Sequence, residues 1–472
     1  MHEKINKNGA TIPCNIPIDD VAAGFAKLQW GDTKPFKQKL KWTNKRRLKK
    51  LLPANKQFKL SPVSWEGSEI SESLKKALLA SKSESRGLAG YNRRFLGELP
   101  TEFIDAMLSI VNQSIIHGTY YNFWRTNRVC PIPKKGNLND VKNWRPITVA
   151  DALASATEKI VASQFLNFME KMGLLYESQH GFRKGMSCST AICEATNYIR
   201  KNKVLGKTIG AFILVDAKNA FGSVCHYMLL DKLFPYCHER TFKWFRNFIS
   251  NRAFIVEKDG ERSEPVPLPV AGVVQGSGPG PSTFNFAYND VFEKITKTGF
   301  CCGYADDILV AEVANDDDEL NKKLNDSAIH AKKALKTAKI EIHPAKTEIL
   351  KMGKWDCKAE LDGNAIKVVE ECNYLGCRID GDCSLKPQIA HVEKKFYEAG
   401  HKARGVLNYG TKKQICELYQ SLVMGVFNHS IDCQPFYDPA VYTKLQRIAC
   451  NQLKIILGLQ YYQIKRNIFS RT

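Results

Sequence analysis

The chain has 472 residues, of which 69 are Lys or Arg and 48 are Asp or Glu, so its formal net charge is +21. The hydrophobic fraction of 44% and the charged fraction of 25% are ordinary for a globular protein. This composition excludes a disordered chain, a collagen-like fibre and a small disulfide scaffold. The length predicts roughly two to four domains with a substantial core.

The positive charge is concentrated at the two ends of the chain. Residues 1–60 contain 14 basic and 4 acidic side chains, and residues 385–472 contain 13 and 5, whereas the middle is nearly neutral. Basic surfaces at both ends indicate a polyanionic partner, and nucleic acid is the simplest candidate. The alternative is that the excess charge only keeps the protein in solution.

Residues 34–59 contain eleven Lys or Arg and no acid, with Phe36, Trp42 and Phe58 among them. Such a tract can neutralise phosphates while its rings stack on bases. A solvated basic linker explains the same residues equally well. Residues 44–50 also resemble a nuclear import tract, which slightly favours the nucleus over the cytoplasm.

The fifteen cysteines are scattered singly, and no signal peptide precedes them. No stretch approaches the roughly 18 apolar residues needed to span a bilayer, so we expect no membrane partner. Reduced thiols inside the cell are therefore expected. Cys372, Cys377, Cys383 and His391 could be proposed as a zinc site, but their spacing matches no compact zinc finger, which favours structural cysteines.

In chain order, the apolar pattern predicts a series of helices and short strands. Helices are expected over residues 70–79, 103–116, 147–168, 187–203, 282–291, 316–337 and much of 387–458. Strands are expected over 128–133 and 211–215, with hairpins over 300–310 and 364–380.

Three aspartates follow or separate the predicted strands. Asp216 ends the apolar run 211–215, and Asp306 and Asp307 lie at the tip of the hairpin 300–310. Carboxylates at strand ends are costly to bury unless a cation offsets their charge, and a pair of Mg²⁺ ions can assist phosphoryl transfer. Turn aspartates without a metal are the alternative. The acidic run 316–319 precedes a long helix, where acids favour the N-terminal dipole, and it is expected to be a solvated helix start.

Several segments in order resemble the reverse transcriptases of non-LTR retrotransposons. Residues 304–307 (YADD) match the catalytic turn of that family, and residues 213–221 (ILVDAKNAF) match its first aspartate segment. The remaining similar segments are 128–136 (RVCPIPKKG), 143–147 (NWRPI), 179–183 (QHGFR), 272–281 (GVVQGSGPGP), 340–347 (IEIHPAKT), the primer-grip hairpin at 374–376, and the thumb segments 418–426 and 445–458.

The resemblance implies roles for individual residues. Asp216 and Asp306 would be the principal ligands of two Mg²⁺ (or Mn²⁺) ions, and Asp307 would complete the acidic cluster. Phe221 falls where the family has a bulky gate against the ribose 2′-hydroxyl, although core packing would explain a phenylalanine there as well.

The same resemblance implies a nucleotide site and a primer grip. Lys134 or Lys135 with Arg145 would hold the triphosphate, and Lys346 is a candidate proton donor to pyrophosphate, with a surface lysine as the alternative. The other implied residues are Gln275 and Gly276 in the nucleotide pocket and Tyr374, Leu375 and Gly376 in the primer grip.

Two departures from the family pattern affect the loop of Gln275. Val274 replaces the usual proline, and Gly278-Pro279 is expected to loosen the loop. None of the departures removes a catalytic carboxylate.

The resemblance therefore implies an α+β right-hand polymerase, with a palm of antiparallel sheet backed by helices and a helical thumb. We expect a basic N-terminal extension over residues 1–84, fingers and palm over 85–384, and a thumb and short tail over 385–472. The expected activity is that of an RNA-directed DNA polymerase, whose partners are an RNA template, a DNA primer and deoxynucleoside triphosphates. The length is expected to hold the polymerase without the endonuclease of complete elements.

Two alternatives remain at this point. The first is a catalytically inactive or domesticated remnant of a retrotransposon that still binds nucleic acid. The second is an RNA-dependent RNA polymerase, which also uses paired aspartates.

Overall fold

A computed structural model describes residues 16–30, 51–80, 84–134, 136–268, 272–296, 299–383 and 386–407, with a few separate residues between 411 and 451. Several predictions lie outside the described residues. These are Phe36 and Trp42, the import-like tract 44–50, Lys135, and most of the thumb segments 418–426 and 445–458.

The described residues form twelve α-helices, most of which bury one apolar face. They are α1 (Ile18–Trp30), α2 (Leu74–Leu79), α3 (Arg93–Gly97), α4 (Ile104–His117), α5 (Ala152–Lys171), α6 (Cys188–Val204), α7 (Ala220–Ser223), α8 (His226–Leu233), α9 (Glu239–Ile249), α10 (Gly280–Ile295), α11 (Asp317–Thr337) and α12 (Lys386–Leu407). No described helix combines the length and the apolarity needed to cross a membrane.

The strands are short, and several have only two residues. They are β1 (Thr126–Pro133), β2 (Trp144–Val149), β3 (Ile209–Val215), β4 (Ala217–Lys218), β5 (Ala253–Lys258), β6 (Glu261–Arg262), β7 (Val266–Pro267), β8 (Phe300–Tyr304), β9 (Asp307–Ala314), β10 (Glu341–Ile342), β11 (Glu348–Met352), β12 (Glu360–Leu361), β13 (Asn364–Ala365), β14 (Lys367–Val369), β15 (Glu371–Tyr374) and β16 (Cys377–Asp380).

Most predicted elements are confirmed, with one clear error. The helix expected over 147–168 begins instead at Ala152, because residues 144–149 pair with β1 as the antiparallel strand β2. Asp316 precedes α11 and accepts the backbone N–H of Glu319, as expected for a helix start.

The chain divides into two compact units. The first unit comprises residues 1–176, 218–290 and 335–341, and the second comprises residues 177–217, 291–334 and 342–472.

The first unit contains a sheet in the order β2-β1-β5-β6, with β7 paired to β5. Helix α1 packs on this sheet because Val21, Ala22 and Phe25 share one face and join the core formed by Val129 and Phe254. The predicted basic N-terminal extension, residues 1–84, therefore contributes core residues of α1 to this unit.

Phe58 corrects the prediction that it could stack on nucleic-acid bases. Its side chain is 5% exposed, and its ring stacks on Phe168 with a centroid distance of 5.0 Å. Phe165 and Phe245 also pack against it. Phe58 is a core residue, and the local sequence concealed this because lysines surround it.

A buried charged cluster lies at the centre of the first unit. Glu158 accepts a hydrogen bond of 2.6 Å from the hydroxyl of Tyr120 and one of 2.9 Å from the backbone N–H of Gly278. The Arg252 guanidinium lies 3.8 Å from Glu158 Oε1, the same oxygen that Tyr120 contacts, and the side chains of Arg252 and Glu158 are almost fully buried. Burial raises the pKa of Tyr120, so the phenol stays protonated and donates to the carboxylate.

The second unit contains the sheet β14-β11-β3-β9-β8, with β3 antiparallel to both β11 and β9. Phe212, Leu309 and Leu350 on one face of this sheet pack in a core that also contains Ile192 of α6. The predicted hairpin β15–β16 covers the same core with residues Cys372, Tyr374, Cys377 and Ile379.

The cysteines proposed for zinc are hydrophobic packing residues. Cys372, Cys377 and Cys383 are all buried in this core, and burial raises the pKa of Cys372 to about 12. Among the described side chains, these three and His391 do not form a cluster of metal ligands. The structural interpretation of the cysteines is therefore the one that the fold supports.

We predict that Glu158→Leu lowers the free energy of unfolding by about 3–5 kcal/mol, because it leaves the buried Arg252 without a counter-charge. Urea unfolding would measure this change. The double variant Glu158→Leu/Arg252→Met removes both charges, so it should recover part of the loss. A loss below about 1 kcal/mol for the single variant would show that the pair does not support the core.

We also predict a pH-dependent contribution to stability from Glu312. This β9 side chain is 3% exposed and accepts a hydrogen bond of 2.5 Å from Ser327 of α11. Burial raises the pKa of Glu312 from 4.5 to about 7, although Ser327 and Lys323 oppose the shift. The folded state therefore favours the protonated carboxyl more than the unfolded state does.

This contribution should be complete below pH 4.5 and should disappear as the pH rises through about 7. Its size is about 3 kcal/mol. The melting temperature of Glu312→Gln should therefore rise relative to that of the wild type as the pH increases from 5 to 8, because a glutamine stays neutral. Parallel curves for the two proteins would contradict the prediction.

Candidate active site

The three predicted aspartates come together in the second unit. Asp216 directly follows β3, and Asp307 is the first residue of β9. The antiparallel register pairs Val215 with Ile308, so the end of β3 and the start of β9 lie side by side. The alternation along each strand places Asp216 and Asp307 on the same face of the sheet.

Asp306 lies in the tight turn between β8 and β9. The pair Tyr304 and Asp307 closes a two-residue turn in which Ala305 has a φ of 58°. That left-handed conformation is unfavourable for an L-residue other than glycine. Gly303 allows the ring of Phe292 to lie against the hairpin, since a Cβ on Gly303 would meet that ring at 2.2 Å.

The carboxylates repel one another. The pKa of Asp307 is raised to about 6, first because surrounding atoms remove part of its hydration and then because Asp306 and Asp216 carry like charge. Loss of hydration also raises the pKa of Asp306, and Asp216 adds to the effect, while the Asp306 backbone N–H opposes it. A nearby cation favours the charged form of carboxylates that repel one another.

The donor set fits a divalent metal. Carboxylate oxygens are the ligands that Mg²⁺ prefers, and Mg²⁺ typically takes only a few of them from the protein. The ammonium of Lys346 lies 3.8 Å from a carboxylate oxygen of Asp216, so a positive charge already lies beside the cluster.

Lys346 belongs to a short 3-10 turn, Pro344–Lys346, that is fixed to the aspartate segment. The backbone N–H of His343 donates a hydrogen bond of 2.8 Å to the carbonyl oxygen of Asp216. The Lys346 side chain is 63% exposed, so its ammonium can leave Asp216 and bind another anion.

The first unit contains a cavity of about 310 Å³ that collects three of the predicted nucleotide-binding residues. Lys134, Arg145 and Gln275 line it, together with Phe25, Lys142, Trp144, Pro146 and Asn219. Phe221 and Gly276 are not among its lining residues. A cavity with three basic side chains and two side-chain amides suits a polyanionic ligand with polar groups.

The pocket includes residues that the sequence motifs did not single out. Lys142 directly precedes the segment 143–147, and Asn219 lies inside the segment 213–221 without an assigned role. The Asn219 φ of 46° marks a backbone conformation in which asparagine is enriched. No local sequence pattern indicated that Phe25 would line the cavity, because its position depends on how α1 packs against the sheet.

The loop of Gln275 is held firmly, which corrects the expectation that Gly278-Pro279 loosens it. The backbone N–H of Thr148 in β2 donates a hydrogen bond of 3.0 Å to the carbonyl oxygen of Gln275. A Cβ on Gly278 would lie 2.6 Å from the backbone of Glu158, so glycine permits the close contact that the hydrogen bond to Glu158 requires.

Gly276 is needed for the same loop. Its φ is 99°, and a Cβ there would lie 2.4 Å from the carbonyl oxygen of Thr148. Its role is therefore to bring the loop against β2.

Phe221 stacks face to face on Phe284, with a centroid distance of 4.1 Å and an interplanar angle of 5°. It lies in α7, and its carbonyl oxygen accepts the backbone N–H of Val273 at 2.8 Å. The ring is half-buried, so Phe284 supports one face of a side chain that is still partly accessible.

The hairpin predicted as a primer grip is present, but the side chain of Tyr374 is buried in the core beneath it. Tyr374 is 3% exposed, and its hydroxyl lies 4.0 Å from the sulfur of Cys302. Leu375 and Gly376 form the two-residue turn with φ values of 51° and 80°. The accessible part of this hairpin is therefore its turn rather than the tyrosine ring.

Comparison with known proteins agrees with the motif analysis. Residues 132–379 match the family described as reverse transcriptase (RNA-dependent DNA polymerase). The probable RNA-directed DNA polymerase from transposon BS of Drosophila melanogaster is 22% identical over 429 residues, which cover 87% of this chain and 46% of that protein.

Two other relatives match a smaller part of the chain. The Pol polyprotein from the type-1 retrotransposable element R2 of Nasonia vitripennis is 27% identical over 44% of this chain and 21% of that protein. The probable RNA-directed DNA polymerase from transposon X-element of Drosophila melanogaster is 23% identical over 46% of this chain and 24% of that protein. The chain spans less than half the length of each of these relatives. The family match covers more than half of the 472 residues of the chain. The chain therefore belongs to the reverse transcriptase (RNA-dependent DNA polymerase) family.

Proposed function

We propose that this chain is an RNA-directed DNA polymerase that adds deoxynucleotides to a primer 3′-hydroxyl by two-metal-ion phosphoryl transfer. The observation that carries the proposal is the convergence of Asp216, Asp306 and Asp307 at adjacent strand ends. Burial there, together with the like charge of the other two carboxylates, raises the pKa of Asp307 to about 6. Carboxylates that share a site in this way are typical of functional centres.

The aspartates would hold two Mg²⁺ or Mn²⁺ ions. Bound divalent ions activate an attacking oxygen and neutralise charge on the leaving oxygen. Asp216 and Asp306 would be the principal ligands, and Asp307 would complete the set. The Lys346 ammonium, now beside Asp216, is suited to protonate the departing pyrophosphate, because it is a mobile cation on an exposed stem.

The cavity of the first unit supports the nucleotide part of the proposal. Lys134 and Arg145 would neutralise the triphosphate, and Gln275 would contact the nucleotide with its amide. The Lys134 ammonium donates a hydrogen bond of 3.0 Å to the carbonyl oxygen of Lys142, which orients this cation.

The partners follow from the same chemistry. An RNA template and a DNA primer are polyanions, and a net charge of +21 favours their binding. We assign fingers and palm to residues 85–384 and a thumb to 385–472, after a basic extension over 1–84. We propose an intracellular location, in the nucleus or the cytoplasm, and the tract 44–50 slightly favours the nucleus.

We predict that Asp306→Asn lowers primer extension by roughly 100-fold or more, because it removes one charge from the metal ligands. Extension of a DNA primer on an RNA template with Mg²⁺ would measure the rate. Asp316→Asn is the matched control, since Asp316 is exposed and an asparagine caps a helix equally well. Full activity of Asp306→Asn would exclude the two-metal assignment.

The same assay decides between the polymerase and a catalytically inactive remnant. Wild-type protein that binds the template-primer duplex but incorporates no nucleotide would refute the polymerase. It would support a nucleic-acid-binding remnant instead.

We predict that Phe221→Ala raises the ratio of ribonucleotide to deoxynucleotide incorporation by about tenfold or more, because the ring excludes the 2′-hydroxyl. Phe221→Tyr keeps a ring stacked on Phe284 and should keep the wild-type ratio. Competition between the two nucleotides in single-turnover extension would measure it. A wild-type enzyme that already prefers ribonucleotides would contradict the gate and favour an RNA polymerase.

A further inference from the structure

The turn that carries Asp306 does not support itself. Ala305 occupies a left-handed conformation with a φ of 58°, and the turn has only two residues between β8 and β9. Other conformations of an alanine are more favourable, so contacts from elsewhere must maintain this one.

The side chain of Gln179 supplies those contacts. Its Oε1 accepts the backbone N–H of Ala305 at 3.0 Å, and its Nε2 donates to the carbonyl oxygen of the same residue at 3.2 Å. Oε1 also accepts the N–H of Gly181 at 2.9 Å. The amide is 1% exposed, so water does not compete for these hydrogen bonds.

The segment that carries Gln179 is bound to the same hairpin. Gly303 of β8 donates its N–H to the carbonyl oxygen of Ser178 at 2.8 Å and accepts the N–H of His180 at 2.7 Å. A Cβ on Gly181 would lie 2.4 Å from the nitrogen of Ala305, so only glycine permits this approach.

Helix α6 anchors that segment from the other side. The His180 ring contacts Glu194 at 2.5 Å and Thr190 at 2.7 Å, and the hydroxyl of Ser178 donates to Glu194 at 2.5 Å. The anchor is therefore rigid, and Gln179 extends from it to the turn.

We infer that Gln179 is a positioning residue, whose carboxamide holds the Ala305–Asp306 turn in its left-handed conformation and so aims the Asp306 carboxylate at the metal. Glutamine fits the role because one amide offers both an acceptor and a donor, whereas a carboxylate lacks the donor and an apolar side chain lacks both. The inference rests on the proposed function for its role in catalysis, but the support of the turn is independent of it.

Gln179→Met tests the inference, because methionine keeps the volume and removes both hydrogen bonds. Electron paramagnetic resonance would measure the affinity of the full chain for Mn²⁺ in the absence of nucleic acid. We expect the affinity of the variant to be about 10–100-fold lower than that of the wild type. In primer extension, kcat should fall while KM for the nucleotide stays within about twofold. Hydrogen exchange should accelerate in the peptides spanning residues 300–310 and 179–183, whose amides of Ala305 and Gly181 lose their acceptor, and not across the rest of the chain.

Two further variants separate positioning from general destabilisation. Thr196→Val removes a buried hydrogen bond to the Ile192 carbonyl oxygen within α6 and none of the contacts that hold Gln179, so it should leave Mn²⁺ affinity unchanged even if it lowers the melting temperature. Ala305→Gly, added to Gln179→Met, should recover part of the affinity, because glycine adopts a positive φ readily.

Unchanged exchange over 300–310 in Gln179→Met, or no recovery in the double variant, would overturn the inference. A wild-type protein that never extends a primer would instead refute only the proposed function. The exchange comparison would then still decide whether Gln179 holds the turn.

Discussion

The electrostatic repulsion among three carboxylates is the constraint on which the candidate site depends. Asp216, Asp306 and Asp307 lie close enough that like charge helps to raise the pKa of the last two. Such an arrangement forms only if the backbone holds the groups together against their repulsion. The central strand β3, paired on one side with β9 and on the other with β11, supplies the rigidity that this requires.

The elements that the sequence predicted well are those whose signal is local. The apolar run before Asp216 and the two apolar halves around Asp306 and Asp307 predicted β3 and the β8–β9 hairpin, because strands covered on both faces leave a continuous apolar pattern. The same pattern misplaced the start of α5, since the alternation in 144–149 is short and merges with the helix that follows.

The residues that the sequence could not reveal depend on contacts between distant segments. Phe25 reaches a cavity next to Arg145 only because α1 packs on β1 and β5. Tyr374 belongs to a recognisable motif, yet its burial is decided by the core beneath the hairpin. Local pattern therefore indicated the segments that form the candidate site, whereas tertiary packing decided which atoms of each motif are accessible.

Gln179 illustrates why a motif can hold more than its most polar residues suggest. In 179–183 (QHGFR), the histidine and the arginine attract attention as chemical groups, but His180 bonds to Glu194 and Thr190 and acts as an anchor. The amide beside it lies 126 residues from Ala305 in the chain, so no local pattern predicts their contact. The strain at Ala305 and the hydrogen bonds of Gln179 explain each other: a strained turn persists only where buried partners make every relaxed conformation worse. The Asp306 carboxylate is thus positioned by a neutral side chain, which adds no further negative charge to a cluster of three carboxylates that already repel one another.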